Sequence, residues 1–321
     1  MVERVSFFSR KNIMGVNERL TDRERVELTK KSYEHLQLGD NITIGPYDIG
    51  TVCRVEHAKD GMSAFVISSP SEITILFKGS YGIKKGTPQT WRDEWFKTNI
   101  PILRAMLSQE RRIPSQLKTA STFLNHVINQ FRGSRFYIYG HSLGSINAQF
   151  ALANCTHPEA IAAAYLYEGT NIWLLLTPKE RRRVAQMRER VFNYVDIYDP
   201  VTLGITETHH MVGKLCYVDS EPMQPIKQHL WGGYQFNPDG SLKLRKIDQA
   251  FLAESRSEHK LLSRSGELTD FIEKISSSEE IKKMATAKLD ELTKRYPDHK
   301  SLVKLAELFK NELLKDEDKW N

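Results

Sequence analysis

Five consecutive residues, Gly140-His141-Ser142-Leu143-Gly144, have the types and the spacing that nucleophilic catalysis requires. A serine hydroxyl is a weak nucleophile at neutral pH. It becomes effective when an imidazole takes its proton and a carboxylate orients that imidazole. Glycines two residues either side of the serine let the backbone turn sharply, because side chains there would strike the neighbouring strand or helix. The turn lifts the Ser142 hydroxyl above the sheet. It also leaves the Leu143 N–H at a helix N-terminus, where it can hydrogen-bond an oxyanion. The chemistry of such a set is acyl transfer. The bland alternative is an ordinary strand-to-helix turn. His141, beside the serine, is expected to point elsewhere, as a pocket-wall residue rather than the base.

Such a turn needs a strand before it and a helix after it. Arg135 to Tyr139 (RFYIY) reads as a short buried strand, and Leu143 to Asn154 as a helix. Earlier, Met62 to Ser68 and Glu72 to Lys78 read as strands, rich in β-branched or aromatic residues and bounded by Gly, Pro or Ser. Leu117, Ala120, Phe123, Leu124, Val127, Ile128 and Phe131 recur at helical spacing, and Gly133 stops that helix. Strands are expected near Ala160 to Tyr167 and at Arg190 to Asp196, with a basic helix around Pro178 to Arg190 between them. Further helices are expected around Asp22 to Leu36 and from Trp91. This alternation predicts an α/β protein, a mostly parallel central sheet flanked by helices, as in the α/β-hydrolase fold. After about residue 250 charges of both signs intermix. Leu268, Phe271, Ile272 and Ile275 share one helical stripe, as do Leu302, Leu305, Phe309 and Leu313. The expected division is a hydrolase domain over 1–250 and a charged, amphipathic helical tail over 251–321.

In α/β-hydrolases the chain order is serine, acid, histidine. The strand RVFNYVDIYDPVT offers Asp196 and Asp199 as acids. Pro200 ends the strand after Asp199 and favours an extended, exposed carboxylate there, while Asp196 reads as a buttress of the same turn. His209, His210, His229 and His259 remain as bases. His209 and His210 follow the acid closely and suit the mouth of a site. His259 lies in the charged tail.

GHSLG at 140–144, preceded by FKGS at 77–80, resembles the class 3 lipase family and its bacterial lipase-like relatives. Trp91 to Phe96 and YGHSLGSINAQFALAN are similar to further stretches of that family, so the resemblance spans residues 25–245. It implies that Ser80 helps form the oxyanion hole with Leu143, and that Asp199-Pro200-Val201 carries the acid. It also implies that His229, followed by Trp231 and Pro238-Asp239-Gly240, carries the base. Among the other histidines His210 is the runner-up. The chain departs from many class 3 lipases in carrying Ser145 where they place glycine. The implied substrates are acylglycerols or phospholipids, cleaved without metal or organic cofactor. Tyr81, Ile83, Trp91, Trp95, Phe96, Ile100, Ile102 and Leu103 supply apolar surface for an acyl groove or lid, although most such side chains belong to cores.

Composition narrows the alternatives. The 321 residues suffice for one large α/β domain, or a smaller one with an extension. The net charge of +6 is mild, and no nucleic-acid recognition motif accompanies it. The basic run PKERRRVAQMRER reads as a solvated helix face, with transient contact to anionic lipid headgroups as the alternative. Cys53, Cys155 and Cys216 match no metal or redox spacing. No run approaches the roughly 18 apolar residues of a membrane span, and the N-terminal apolar run is too short for a signal peptide. The expectation is a cytoplasmic protein, or one exported without such a signal. A soluble-ester carboxylesterase stays open. So does an effector or toxin whose helical tail binds a partner protein, and a non-catalytic binding module on the same scaffold.

Overall fold

The computed structural model describes residues 15–70, 72–79, 113–196, 198–202, 208–221, 223, 225–249, 290 and 294. The expected helix from Trp91 lies outside these residues, as does the tail over 251–321 apart from Asp290 and Lys294.

Eight strands form one sheet in chain order. They are β1 (Asn41–Ile44), β2 (Tyr47–His57), β3 (Ser63–Ser68), β4 (Glu72–Phe77), β5 (Arg135–His141), β6 (Ile161–Tyr167), β7 (Val191–Val195) and β8 (Lys214–Tyr217). The strands from β1 to β4 pair antiparallel, and those from β4 to β8 pair parallel. The described helices are α1 (Val16–Arg19), α2 (Asp22–Lys31), α3 (Ser115–Gln130), α4 (Leu143–Ala153), α5 (Pro178–Gln186) and α6 (Pro225–His229). The mostly parallel sheet flanked by helices matches the architecture expected from the sequence.

Side-chain alternation sorts the two faces. Ile75, Phe77, Phe136, Ile138, Ala164 and Leu166 face one core, with Leu117, Leu124, Ile146, Leu152 and Val184 from α3, α4 and α5. These helices lie in the connections between successive parallel strands. Crossovers of one hand that always step the same way along a sheet set their helices on one face. The other face is closed by Leu20, Val26 and Leu28 of the N-terminal segment and by Trp231, Tyr234 and Leu242. Both faces are therefore buried, which is why the parallel strands read as nearly continuous apolar runs.

That second face is rich in tyrosine. Tyr139 stacks on Tyr165 with 5.1 Å between ring centroids, Tyr165 on Phe192 at 5.4 Å, and Tyr167 on Tyr194 at 4.7 Å. Each such pair contributes about 0.5–1.5 kcal/mol beyond the area it buries. The Arg25 guanidinium covers Tyr165 at 4.6 Å. Asn17, fully buried, donates to Glu72 and Thr74 and accepts from the Tyr139 hydroxyl at 2.8 Å, fastening α1 to β4 and β5.

Local chemistry sets the helix ends. Thr21 accepts from the Glu24 N–H and Glu24 accepts from the Thr21 N–H, a reciprocal cap on α2. Thr177 and Glu180 make the same cap on α5, with Pro178 at the first helical position. In the basic run Arg181, Arg183, Arg188 and Arg190 are half-buried, and Arg182 is exposed. Arg181 donates to the Trp173 carbonyl, Arg183 to Ala153, Arg188 to Thr208 and Arg190 to Ile161. Their guanidinium groups bond to backbone carbonyls of neighbouring segments, so the run works in part as a structural fastener as well as a solvated face.

Candidate active site

The parallel register brings four strand ends together. Phe77 of β4 lies opposite Gly140 of β5, His141 opposite Tyr167 of β6, and Tyr167 opposite Tyr194 of β7. The segments leaving these strands therefore converge on one edge, where α/β sheets place their ligands.

Ser142 links β5 to α4 with φ 56° and ψ −128°, a region a non-glycine residue enters only when its surroundings force it. Both flanking glycines are required. A Cβ on Gly140 would stand 2.6 Å from the Gly144 carbonyl oxygen, and one on Gly144 would stand 2.8 Å from the Phe77 carbonyl carbon. The Ser142 N–H donates to the Tyr167 carbonyl at 2.9 Å, and its own carbonyl accepts the Ile146 N–H at 3.1 Å. The turn is thereby held from both sides. Leu143 is the first residue of α4, so its N–H has no partner within the helix.

The Ser142 hydroxyl lies 2.8 Å from His229 Nε2, and His229 Nδ1 lies 2.6 Å from Asp199 Oδ2. A carboxylate only accepts, so Nδ1 carries the hydrogen and Nε2 is free to accept from the serine. The other Asp199 oxygen accepts the Val201 N–H at 2.9 Å, which fixes the carboxylate plane. All three side chains are almost fully buried. Asp199, expected from the sequence to be exposed, is enclosed. His210 is not brought to the serine. It is exposed, stacks on Trp173 at 5.7 Å, and its carbonyl accepts from Asn171. His209 is likewise exposed. Ser80, His259 and the apolar residues of 81–104 lie outside the described residues.

His141 departs from the pocket-wall role expected of it. It is fully buried and hydrogen-bonded at both ring nitrogens. Ser145, the departure from the usual glycine, is accommodated across the loop. Gly169 abuts it so closely that a Cβ there would stand 2.6 Å from the serine Cβ.

Behind Asp199 lies a buried polar cluster that sequence reasoning foresaw only at Asp196. Its carboxylate accepts from the Ser220 hydroxyl, the Gln228 amide and the Tyr198 N–H. Gln228 precedes His229, so this bond ties the short helix of His229 to the end of β7, three residues before Asp199. Glu168, just past β6 and with φ 48°, accepts the Asp196 N–H at 3.0 Å and pairs with the Tyr234 hydroxyl. Burial first, then the charges of Asp199 and Asp196, push the Glu168 carboxyl well above its usual range, against the hydrogen bonds it accepts. Burial likewise raises Asp196, moderated by its hydrogen bonds.

A carboxyl raised in the folded state retains a proton that the unfolded chain releases above about pH 4.3. Its contribution to stability is full below that pH and is lost as pH rises towards the folded value, at up to about 1.4 kcal/mol per pH unit. Glu168→Gln keeps an acceptor for the Asp196 N–H and removes the proton. Its unfolding free energy in urea is expected to gain on the wild type as pH rises above about 4.3. A pH-independent difference would mean that Glu168 is not the linked group.

No group of His, Cys, Asp and Glu suited to a metal ion occurs among the described residues. No described helix is long and apolar enough to cross a membrane.

No family model and no curated protein matches the chain. Solved structures similar to it include fungal lipases. A mutant form of MDLA from Penicillium cyclopium has 16% identity and a TM-score of 0.42, covering 73% of this chain and 88% of that one. A further fungal lipase crystal structure gives 16% and 0.44 with the same coverage. A triacylglycerol lipase from Penicillium expansum gives 14% and 0.38, covering 62% of this chain and 79% of that one. At these identities and TM-scores, function has to be argued from the site itself.

Proposed function

We propose that the chain is a serine ester hydrolase acting on lipid esters, either acylglycerols or phospholipids. The observation that carries the reading is the unbroken hydrogen-bonded chain from Ser142 through His229 to Asp199, headed by a serine at a strained strand-to-helix turn. Ser142 attacks the ester carbonyl while His229 Nε2 takes its proton. Asp199 holds the Nδ1–H tautomer and stabilises the imidazolium that results. The Leu143 N–H and the N–H of Ser80 hold the tetrahedral oxyanion. His229 then protonates the leaving alcohol. A water, activated by the same imidazole, releases the acid from Ser142.

The lipid assignment rests on the sequence resemblance and on the apolar residues of 81–104. The charged, amphipathic sequence over 251–321 is assigned to a helical protein partner on its pattern alone, and transient contact with lipid headgroups to the basic run PKERRRVAQMRER. A panel of fluorogenic esters separates the substrate classes. Hydrolysis of micellar or liposomal long-chain lipid at least tenfold faster than of a monomeric short-chain ester is expected. The reverse preference would make the protein a soluble-ester carboxylesterase.

A further inference from the structure

The base stands on weak local structure. His229 ends a five-residue helix, far too short to hold itself, and Trp231 two residues on has φ 61°. Something else must set where the imidazole stands. The Gln228 side chain bonded to Asp196 is one tether. The second comes from the strand of the nucleophile. His141 Nε2 lies 2.7 Å from the backbone carbonyl oxygen of His229, and His141 Nδ1 lies 2.6 Å from the Tyr33 hydroxyl.

These partners define one tautomer. A carbonyl oxygen only accepts, so His141 Nε2 carries the hydrogen. In the neutral ring Nδ1 is then the acceptor, and Tyr33 donates to it. The ring is covered by Trp231 at 3.8 Å between centroids and met edge-on by Tyr33 at 5.7 Å. The groups facing it disfavour a charge. They are the His229 ring at 4.6 Å and Lys30, whose ammonium sits 5.7 Å from the centre of the Trp231 ring. Burial first, then the His229 and Lys30 charges, hold His141 well below the ordinary histidine range. Burial raises the Tyr33 hydroxyl, keeping it a donor.

We propose that Tyr33 and His141 are positioning residues for the base, forming a neutral relay from the Tyr33 hydroxyl through His141 to the His229 carbonyl. The inference rests on the triad reading. Because His141 is bonded in sequence to Ser142, the relay ties base and nucleophile to the same strand end and so sets the distance between Nε2 and the serine hydroxyl. A neutral ring suits the task. A cation in that place would oppose the imidazolium that forms on His229 during each turnover. A lysine or arginine could donate to the same carbonyl but would bring that charge.

The test uses the full chain and counts active sites by fluorophosphonate titration, so that rates refer to folded enzyme. His141→Phe keeps a ring under Trp231 and removes both hydrogen bonds. Its kcat is expected to fall on the order of 10- to 100-fold, as misplacement of a reacting group does, with KM within about twofold of the wild type. His141→Gln, whose amide can donate to the same carbonyl, is expected to recover part of that loss. Tyr33→Phe is expected to fall in the same direction by a smaller factor. An unchanged kcat per titrated site in His141→Phe, or in Tyr33→Phe should the first variant not fold, overturns the relay. Imidazole 15N shifts of the wild type give an independent readout without catalysis. His141 is expected to stay neutral and Nε2-protonated from pH 5 to pH 9, and titration in that range or an Nδ1–H tautomer overturns the proposal. A wild type that takes no fluorophosphonate sinks the triad reading, whereas labelled wild type with indifferent variants sinks only the relay.

Discussion

Ser142→Ala is expected to lower kcat for ester hydrolysis by roughly 10⁶-fold, the scale on which serine hydrolases lose turnover when the nucleophile is removed. The Ser142 hydroxyl is the group that His229 Nε2 faces, at 2.8 Å. Without it the imidazole has no proton to take, and only binding and the oxyanion donors remain to promote attack by water. The substitution leaves the fold alone. Alanine meets the same backbone demand at φ 56° as serine does, and the bonds that hold the turn come from the backbone N–H and carbonyl of residue 142. An unchanged melting temperature beside the lost activity would separate chemistry from folding. Loss of no more than tenfold would mean that another group is the nucleophile.

Asp199→Asn is expected to cost about 10⁴-fold in kcat, because it reverses the tautomer of the base while leaving the shape of the site intact. One Asp199 oxygen accepts the Val201 N–H at 2.9 Å, so the carbonyl oxygen of an asparagine would take that position. Its NH2 group would then point at His229 Nδ1, which would have to accept. The imidazole hydrogen moves to Nε2, facing Ser142, and the ring can no longer receive the serine proton. Asp196→Asn is a useful contrast. Asp196 touches neither Ser142 nor His229 through its side chain, and accepts from Ser220, Gln228 and the Tyr198 N–H. A kcat loss in Asp199→Asn no larger than that in Asp196→Asn would remove Asp199 from the triad.

The elbow was legible in the sequence because its demands are local and steric. Two glycines around a serine between a strand and a helix suit few local structures besides this turn, and Gly140 and Gly144 have no room for a Cβ. Chain order and the turn after β7 offered Asp199 as the acid, the family resemblance offered His229 as the base, and the structure sets both in one hydrogen-bonded line with Ser142. What the sequence did not disclose depends on pairs far apart in the chain. Glu168 meets Asp196 across 28 residues, Gln228 meets it across 32, and Tyr33 meets His141 across 108. Nothing in the neighbourhood of any of these residues marks its partner. Short elements were missed for a related reason. Strand β8 has four residues and helix α6 five, fewer than a period needs to declare itself. The β1–β2 hairpin went unread although Ile42 and Ile44 alternate inward, because its turn at Gly45 and the bulge after Ile42 break the pattern.

The central claim is that Ser142 is an activated nucleophile, and covalent labelling tests it most directly. Folded wild-type protein is incubated with a fluorophosphonate, digested, and the adduct mapped by mass spectrometry, with Ser142→Ala alongside. A single adduct on the peptide containing Ser142, absent from the alanine variant, is the predicted result. A folded wild type that takes no label, or takes it on another residue, would contradict the claim.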